Sequence, residues 1–143
     1  MTVTITPQNM QEVERALREH GEKAVRAIGA AVQASALEIT TDIKKRIQRG
    51  PATGRTYTRG AIEHIASREG EAPATDTGTL VSSVNYSKKG ALSAQIESRL
   101  PRATYLEFGT QSIAPRPSWV PAVEKYSPKF QLRITTAIAR LTR

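Results

Sequence analysis

Cysteine is absent from the sequence, which excludes disulfides, a thiolate nucleophile and a thiolate metal centre. Histidine is nearly absent: His20 and His64 are the only two, far apart and without the short spacing of a histidine metal site. Aromatic residues make up 5% and apolar residues 38%, and many of the latter are alanine, which buries little area. The 143 residues suffice for one domain, but so modest a core points to stability completed by oligomerisation. No apolar run approaches the roughly 18 residues of a membrane span, and Met1–Thr6 lacks a signal-peptide pattern, so the expectation is a soluble cytoplasmic product. Neither GxGxxG nor GxxxxGK[ST] occurs, and no cofactor is implied.

What the chain does carry is positive charge, formally +8. That balance suits nucleic-acid binding, docking to an acidic protein surface, or plain solubility. Its most distinctive stretch is Tyr105-Leu-Glu-Phe-Gly-Thr110, followed by Ala114-Pro-Arg-Pro-Ser-Trp119-Val-Pro-Ala122. It gathers an aromatic pair, a lone carboxylate, a glycine, three prolines and the only tryptophan, and reads as a rigid strap that sets chain direction between two elements.

Periodicity organises the rest. Thr6-Pro7 reads as an N-cap and first helical residue. Val13, Leu17, Ala24, Ile28, Ala31, Ser35, Ile39, Ile43 and Ile47 then recur at helical spacing, which predicts one long helix over 7–48, about 60 Å if unbroken. Gly21 and Gly29 mark places for a kink or a close neighbour. The small residues of 27–36 lie on several faces, suggesting more than one packing partner, of which a ring neighbour would be one.

Residues 49–78 read as an extended basic loop, a flexible arm with one short helical turn at Gly60–Ala66. Over 79–117 the pattern gives a short helix capped by Asp76 or Thr77. A β-hairpin follows, with Val84, Tyr86, Leu92, Ala94 and Ile96 on one face and its turn at Lys88-Lys89-Gly90. Then come a helix over Pro101–Phe108 stopped by Gly109, and the strap. Residues 118–143 are helical in pattern, either continuous through Pro128 or restarting there. The expected fold is α+β and a single domain: long N-terminal helix, basic loop, small antiparallel sheet, C-terminal helical segment.

Chemistry finds little foothold. His20 falls on the apolar stripe of the first helix and reads as a hydrogen-bonded, partly buried side chain. His64 beside Glu63, among arginines, offers only a remote reading as the acid/base pair of a small nuclease or toxin. Glu107 reads as the partner of Arg102, Arg116 or a neighbouring subunit's arginine. Trp119 reads as a core or interface anchor. A basic arm over 44–68 that tracks phosphates is the alternative function, but it has only Tyr57 for base stacking. Such binding would weaken steeply with salt in a gel-shift titration.

In combination, Thr53-Gly-Arg55-Thr-Tyr57, the run from His64 to Leu80, and Tyr105-Leu-Glu107-Phe108-Gly109-Thr110 leading to Arg116-Pro117 and Pro121-Ala122 resemble a known family. It is the small neck, minor-tail or tail-completion proteins of long-tailed double-stranded DNA bacteriophages. One departure is visible: the family commonly has an aromatic directly after Arg-Pro, where this chain has Ser118 and then Trp119. The resemblance implies a non-enzymatic virion protein, assembled in the host cytoplasm, that joins head to tail as a homo-oligomeric ring around the DNA channel. Six copies are favoured, with twelve the alternative. Implied partners are head-closure or connector proteins and tail-tube or tail-terminator proteins, with DNA passing through unbound. The candidate contacts to a neighbouring subunit or ring are Arg55, Tyr57, Arg59 and His64 in the arm, with Tyr105, Glu107, Phe108, Arg116 and Trp119 around the strap.

Overall fold

In the computed structural model, which describes residues 1–143, the order of elements is β1 (Thr2–Ile5), α1 (Met10–His20), α2 (Glu22–Arg49), β2 (Thr56–Arg59), β3 (Ile62–Ile65), α3 (Thr79–Ser83), β4 (Asn85–Gly90), β5 (Ser93–Glu97), α4 (Pro101–Phe108) and α5 (Trp119–Leu141). The fold is α+β, with long helices and two small antiparallel sheets.

The expected single helix over 7–48 is two. It begins at Met10 rather than Pro7, and it breaks at Gly21, whose φ of +50° lies where a side chain would be strained. Past the break, α2 buries every apolar position of the expected stripe from Ala24 to Ile47. His20, at the end of α1, is partly buried as expected, but its Nε2 has no hydrogen-bond partner.

α5 is continuous through Pro128 and packs along α2. Trp119, Ala122, Phe130 and Ile134 supply its buried face. Two carboxylates of α2 fix the register of this pair. Asp42 receives Arg46 at 2.6 Å and Lys125 at 2.8 Å, while Glu38 receives Lys129 at 2.9 Å and Arg133 at 3.0 Å. Burial pushes the Asp42 carboxyl up, but the hydrogen bonds from Lys125 and Arg46 outweigh it and hold the group below its ordinary range.

On another side of α2 lies the three-stranded sheet, in the order β1-β5-β4. The first strand pairs with β5 from Thr2↔Glu97 to Ile5↔Ala94, which closes the chain's start against its middle. The expected β4–β5 hairpin forms, but its turn falls at Ala91–Leu92, so Lys88 and Gly90 belong to the ladder. Val84, Ala94 and Ile96 face the core, whereas Tyr86 is exposed.

That turn explains Gly29. A Cβ there would stand 2.5 Å from the Ala91 carbonyl oxygen, a backbone atom that cannot swing away. In a free helix Ala would gain about 1 kcal/mol over Gly. Overpacking against backbone costs about 1–3 kcal/mol. Gly29→Ala is therefore expected to lower stability despite its better helix propensity, and a rise in the urea midpoint would show that the turn can yield.

Candidate interaction site of the arm and strap

The stretch expected to be a flexible loop is built. Thr56–Arg59 and Ile62–Ile65 pair antiparallel from Thr56↔Ile65 to Arg59↔Ile62 around the two-residue turn Gly60–Ala61. The helical turn expected at Gly60–Ala66 is absent, replaced by strand β3. Alternation puts Tyr57, Arg59, Ile62 and His64 on one face and leaves Glu63 on the other. His64 therefore does not work with Glu63. Its ring stacks on Tyr57 with centroids 5.6 Å apart, and its Nε2 lies 3.0 Å from Asp76 Oδ1.

Asp76 is the hub of this face. Besides His64 it receives Arg59 at 2.9 Å and the Tyr57 hydroxyl at 3.3 Å. Burial would raise its carboxyl, but the Arg59 hydrogen bond, with the charges of His64 and Arg59 and the Tyr57 hydroxyl, holds it below the ordinary carboxylate range. A second carboxylate ties the base of the arm. Glu71 accepts from the Arg68 N–H at 2.8 Å and from the Thr53 hydroxyl at 2.5 Å and N–H at 3.1 Å, and these bonds lower its carboxyl too. Arg55 contributes its backbone, accepting from Ala66 N–H, while its side chain is exposed.

The pH consequence has a definite sign. Both carboxylates are lowered in the folded chain, so their stabilisation is complete above the range where free carboxylates titrate. It is lost as pH falls through the lowered values. Hydrogen-exchange protection of the β2–β3 amides should fall in that acid window, and the fall should shrink in Asp76→Asn, where only Glu71 still titrates. Protection that is unchanged by acid in the native chain would show that Asp76 and Glu71 do not hold the arm.

The strap is an intrachain clamp. α4 ends at Gly109, as expected, and carries Glu107 inward at 4% exposure. Glu107 meets neither Arg102 nor Arg116. Its carboxylate accepts the backbone N–H groups of Ser118 at 2.7 Å, Trp119 at 3.0 and 3.1 Å, and Val120 at 2.7 Å. These are the free donors at the start of α5, where the helix dipole also favours a negative group. Ser118, at the N-cap, makes no capping bond of its own, so a carboxylate from another helix does that work. Trp119, at 1% exposure, is filled in by its own chain. Both residues are thus internal anchors rather than surface contacts.

Further bonds join strap, α4 and arm. Arg116 N–H donates to Leu106 O at 2.6 Å, and Gly70 N–H to Pro115 O at 2.9 Å. Between them opens a cleft of about 200 Å³. Tyr57, Arg59, Asp76, Arg102 and Arg116 line it. Outside it, Tyr105 and Phe108 project one helical turn apart on α4 at 52% and 62% exposure, with Ile113 beyond them at 41%. Hairpin residues Ile62 and Ile65 are likewise 63% and 51% exposed.

Residues 7–109 match the family described as "Bacteriophage HK97-gp10, putative tail-component", well over half of the chain. The chain belongs to the HK97-gp10-like family. No curated protein and no solved structure matches it. The matched span takes in both long-helix segments, the hairpin arm and α4 with Glu107, and it stops at Gly109, before the strap meets α5. Membership makes this a structural, tail-related protein of bacteriophages. No helix is long and apolar enough to cross a membrane.

Proposed function

We propose that this tail component works as a ring subunit at the junction of head and tail, with its β2–β3 hairpin reaching the next copy. The observation that carries the reading is the hairpin itself. It is a two-stranded sheet with no third strand and no exposed-to-buried alternation, and it shows Ile62 and Ile65 to solvent. An isolated hairpin is marginal in water. This one is held to its own chain chiefly through Asp76, which leaves its aliphatic side chains to a partner.

The strap offers a complementary patch in Tyr105, Phe108 and Ile113. Hairpin to patch is a heterologous contact, which yields a ring when its rotation closes. Six copies fit a sixfold tail and twelve a connector; head-closure and tail-tube proteins would lie on either side, with the DNA channel at the centre. Arg55, Arg59 and His64 then serve the hairpin's register and its contact surface.

Replacing Ile62 and Ile65 together by serine tests this. Exposed substitutions of that kind change monomer stability by about 0.5 kcal/mol or less. The variant should therefore keep its melting curve yet fail to oligomerise in light scattering and fail to restore particle assembly. Normal assembly with the double substitution would refute the hairpin contact.

A further inference from the structure

The cleft between hairpin, α4 and strap has a charge imbalance that the fold does not use. Three guanidinium groups, of Arg59, Arg102 and Arg116, line it against one carboxylate, Asp76. Asp76 is already engaged by Arg59, His64 and Tyr57. Neither Arg102 nor Arg116 has a side-chain partner among the ion pairs or hydrogen bonds of the chain, and Arg116 Nε is buried without an acceptor. A buried guanidinium N–H left unpaired is unfavourable, and most such groups in folded proteins have found an oxygen.

We propose that this cleft receives a single carboxylate side chain from a partner polypeptide, gripped by Arg116 and Arg102. Size favours one side chain: about 200 Å³ lies below the roughly 300–1,000 Å³ of small-molecule pockets. The walls include Ile65, Leu80 and Leu106, which suit the aliphatic stem of a glutamate. A planar carboxylate matches the guanidinium fork with two parallel hydrogen bonds. A doubly charged phosphate would meet Asp76 across the same small space. Arg116 is preorganised, because prolines flank it and its N–H is bonded to Leu106 O at 2.6 Å. The source of the carboxylate, a neighbouring subunit or ring, rests on the assembly reading; the presence of the site does not.

The test is a titration of the isotopically labelled full chain, following the arginine Nε–H resonances by NMR. Glutarate is the probe, with inorganic phosphate and a short DNA duplex as parallel arms. The Arg116 and Arg102 signals should shift saturably with glutarate. Arg116→Gln should weaken that binding by about tenfold or more, as expected for loss of a charge-assisted bond. Arg116→Lys should weaken it too, since a point charge offers no fork. Arg102→Gln, at an exposed position of α4, should weaken binding without moving the thermal midpoint, so the result does not hang on an Arg116 variant that folds poorly. No saturable shift, or phosphate or duplex bound in preference to glutarate, would overturn the proposal. Glutarate binding that survives in Ile62→Ser, which lies on the hairpin but outside the cleft lining, separates this site from the hairpin contact.

Discussion

Glu107→Ala is expected to destabilise the chain by about 3–5 kcal/mol, because it strips the acceptor from three backbone N–H groups at the buried start of α5. For a domain of this size that corresponds to a fall in melting temperature on the order of 10–15 °C. Glu107→Gln keeps one oxygen but removes the charge and aims an amide donor at other donors, so roughly half the loss should remain. Glu107→Asp should resemble alanine more than glutamine, since the shorter side chain cannot span from α4 to all three donors. If Glu107→Ala melts within a degree or two of the parent, the carboxylate does not cap α5.

Trp119→Ala should cost about 3–5 kcal/mol, the usual range for emptying a large aromatic site in a core. At 1% exposure Trp119 is the largest fully buried side chain, in a core built mainly of isoleucine, valine and alanine with Leu80 and Phe130. Few neighbours can collapse into the space, which places the loss in the upper part of that range. Trp119 also contributes the N–H that reaches both Glu107 oxygens, so packing and capping act on the same turn of helix. Total stability of such domains is only about 5–15 kcal/mol, so the double variant with Glu107→Ala should lose most of it. Equilibrium denaturation of the two single variants and the pair checks this, and a double variant as stable as either single one would show that a single event underlies both losses.

The helical half of the fold was legible because its burial follows one local period. Ala24, Ile28, Ala31, Ser35, Ile39, Ile43 and Ile47 lie on one stripe and are all buried. The small residues at 27–36 were also read rightly as multi-sided, although two of the neighbours belong to the same chain: α5 on one side and the β4–β5 turn over Gly29 on another. α4 with its glycine stop follows from the same local rules, whereas the continuity of α5 through Pro128 does not, because an interior proline leaves a break and a continuation both open.

What escaped the sequence depended on distant partners or on exposure. β1 forms only because residues 93–97 lie alongside it. β2 and β3 show no apolar alternation because neither has a buried face; the available signal was β-branched Thr56, Thr58, Ile62 and Ile65 around the two-residue Gly60–Ala61 turn. In sequence Asp76 is, with Thr77, one of two candidate caps of the helix at 79, but it is the hub to which Tyr57, Arg59 and His64 converge from the hairpin. In sequence Glu107 looks like an arginine's partner because charge pairing is the commoner fate of a surface carboxylate. Its true task is hidden in the sequence because Ser118 is itself a favoured N-cap residue, and only the structure shows that it makes no capping bond.

We propose that this HK97-gp10-like tail component closes into a ring through its hairpin. Electron cryomicroscopy of native particles tests it most directly, by locating the chain in the head–tail junction and counting copies around the axis. The expected result is a closed ring coaxial with the DNA channel, with residues 56–65 of each copy lodged against Tyr105 and Phe108 of the next. Copies placed elsewhere in the particle, or a ring whose hairpins point into solvent, would contradict it.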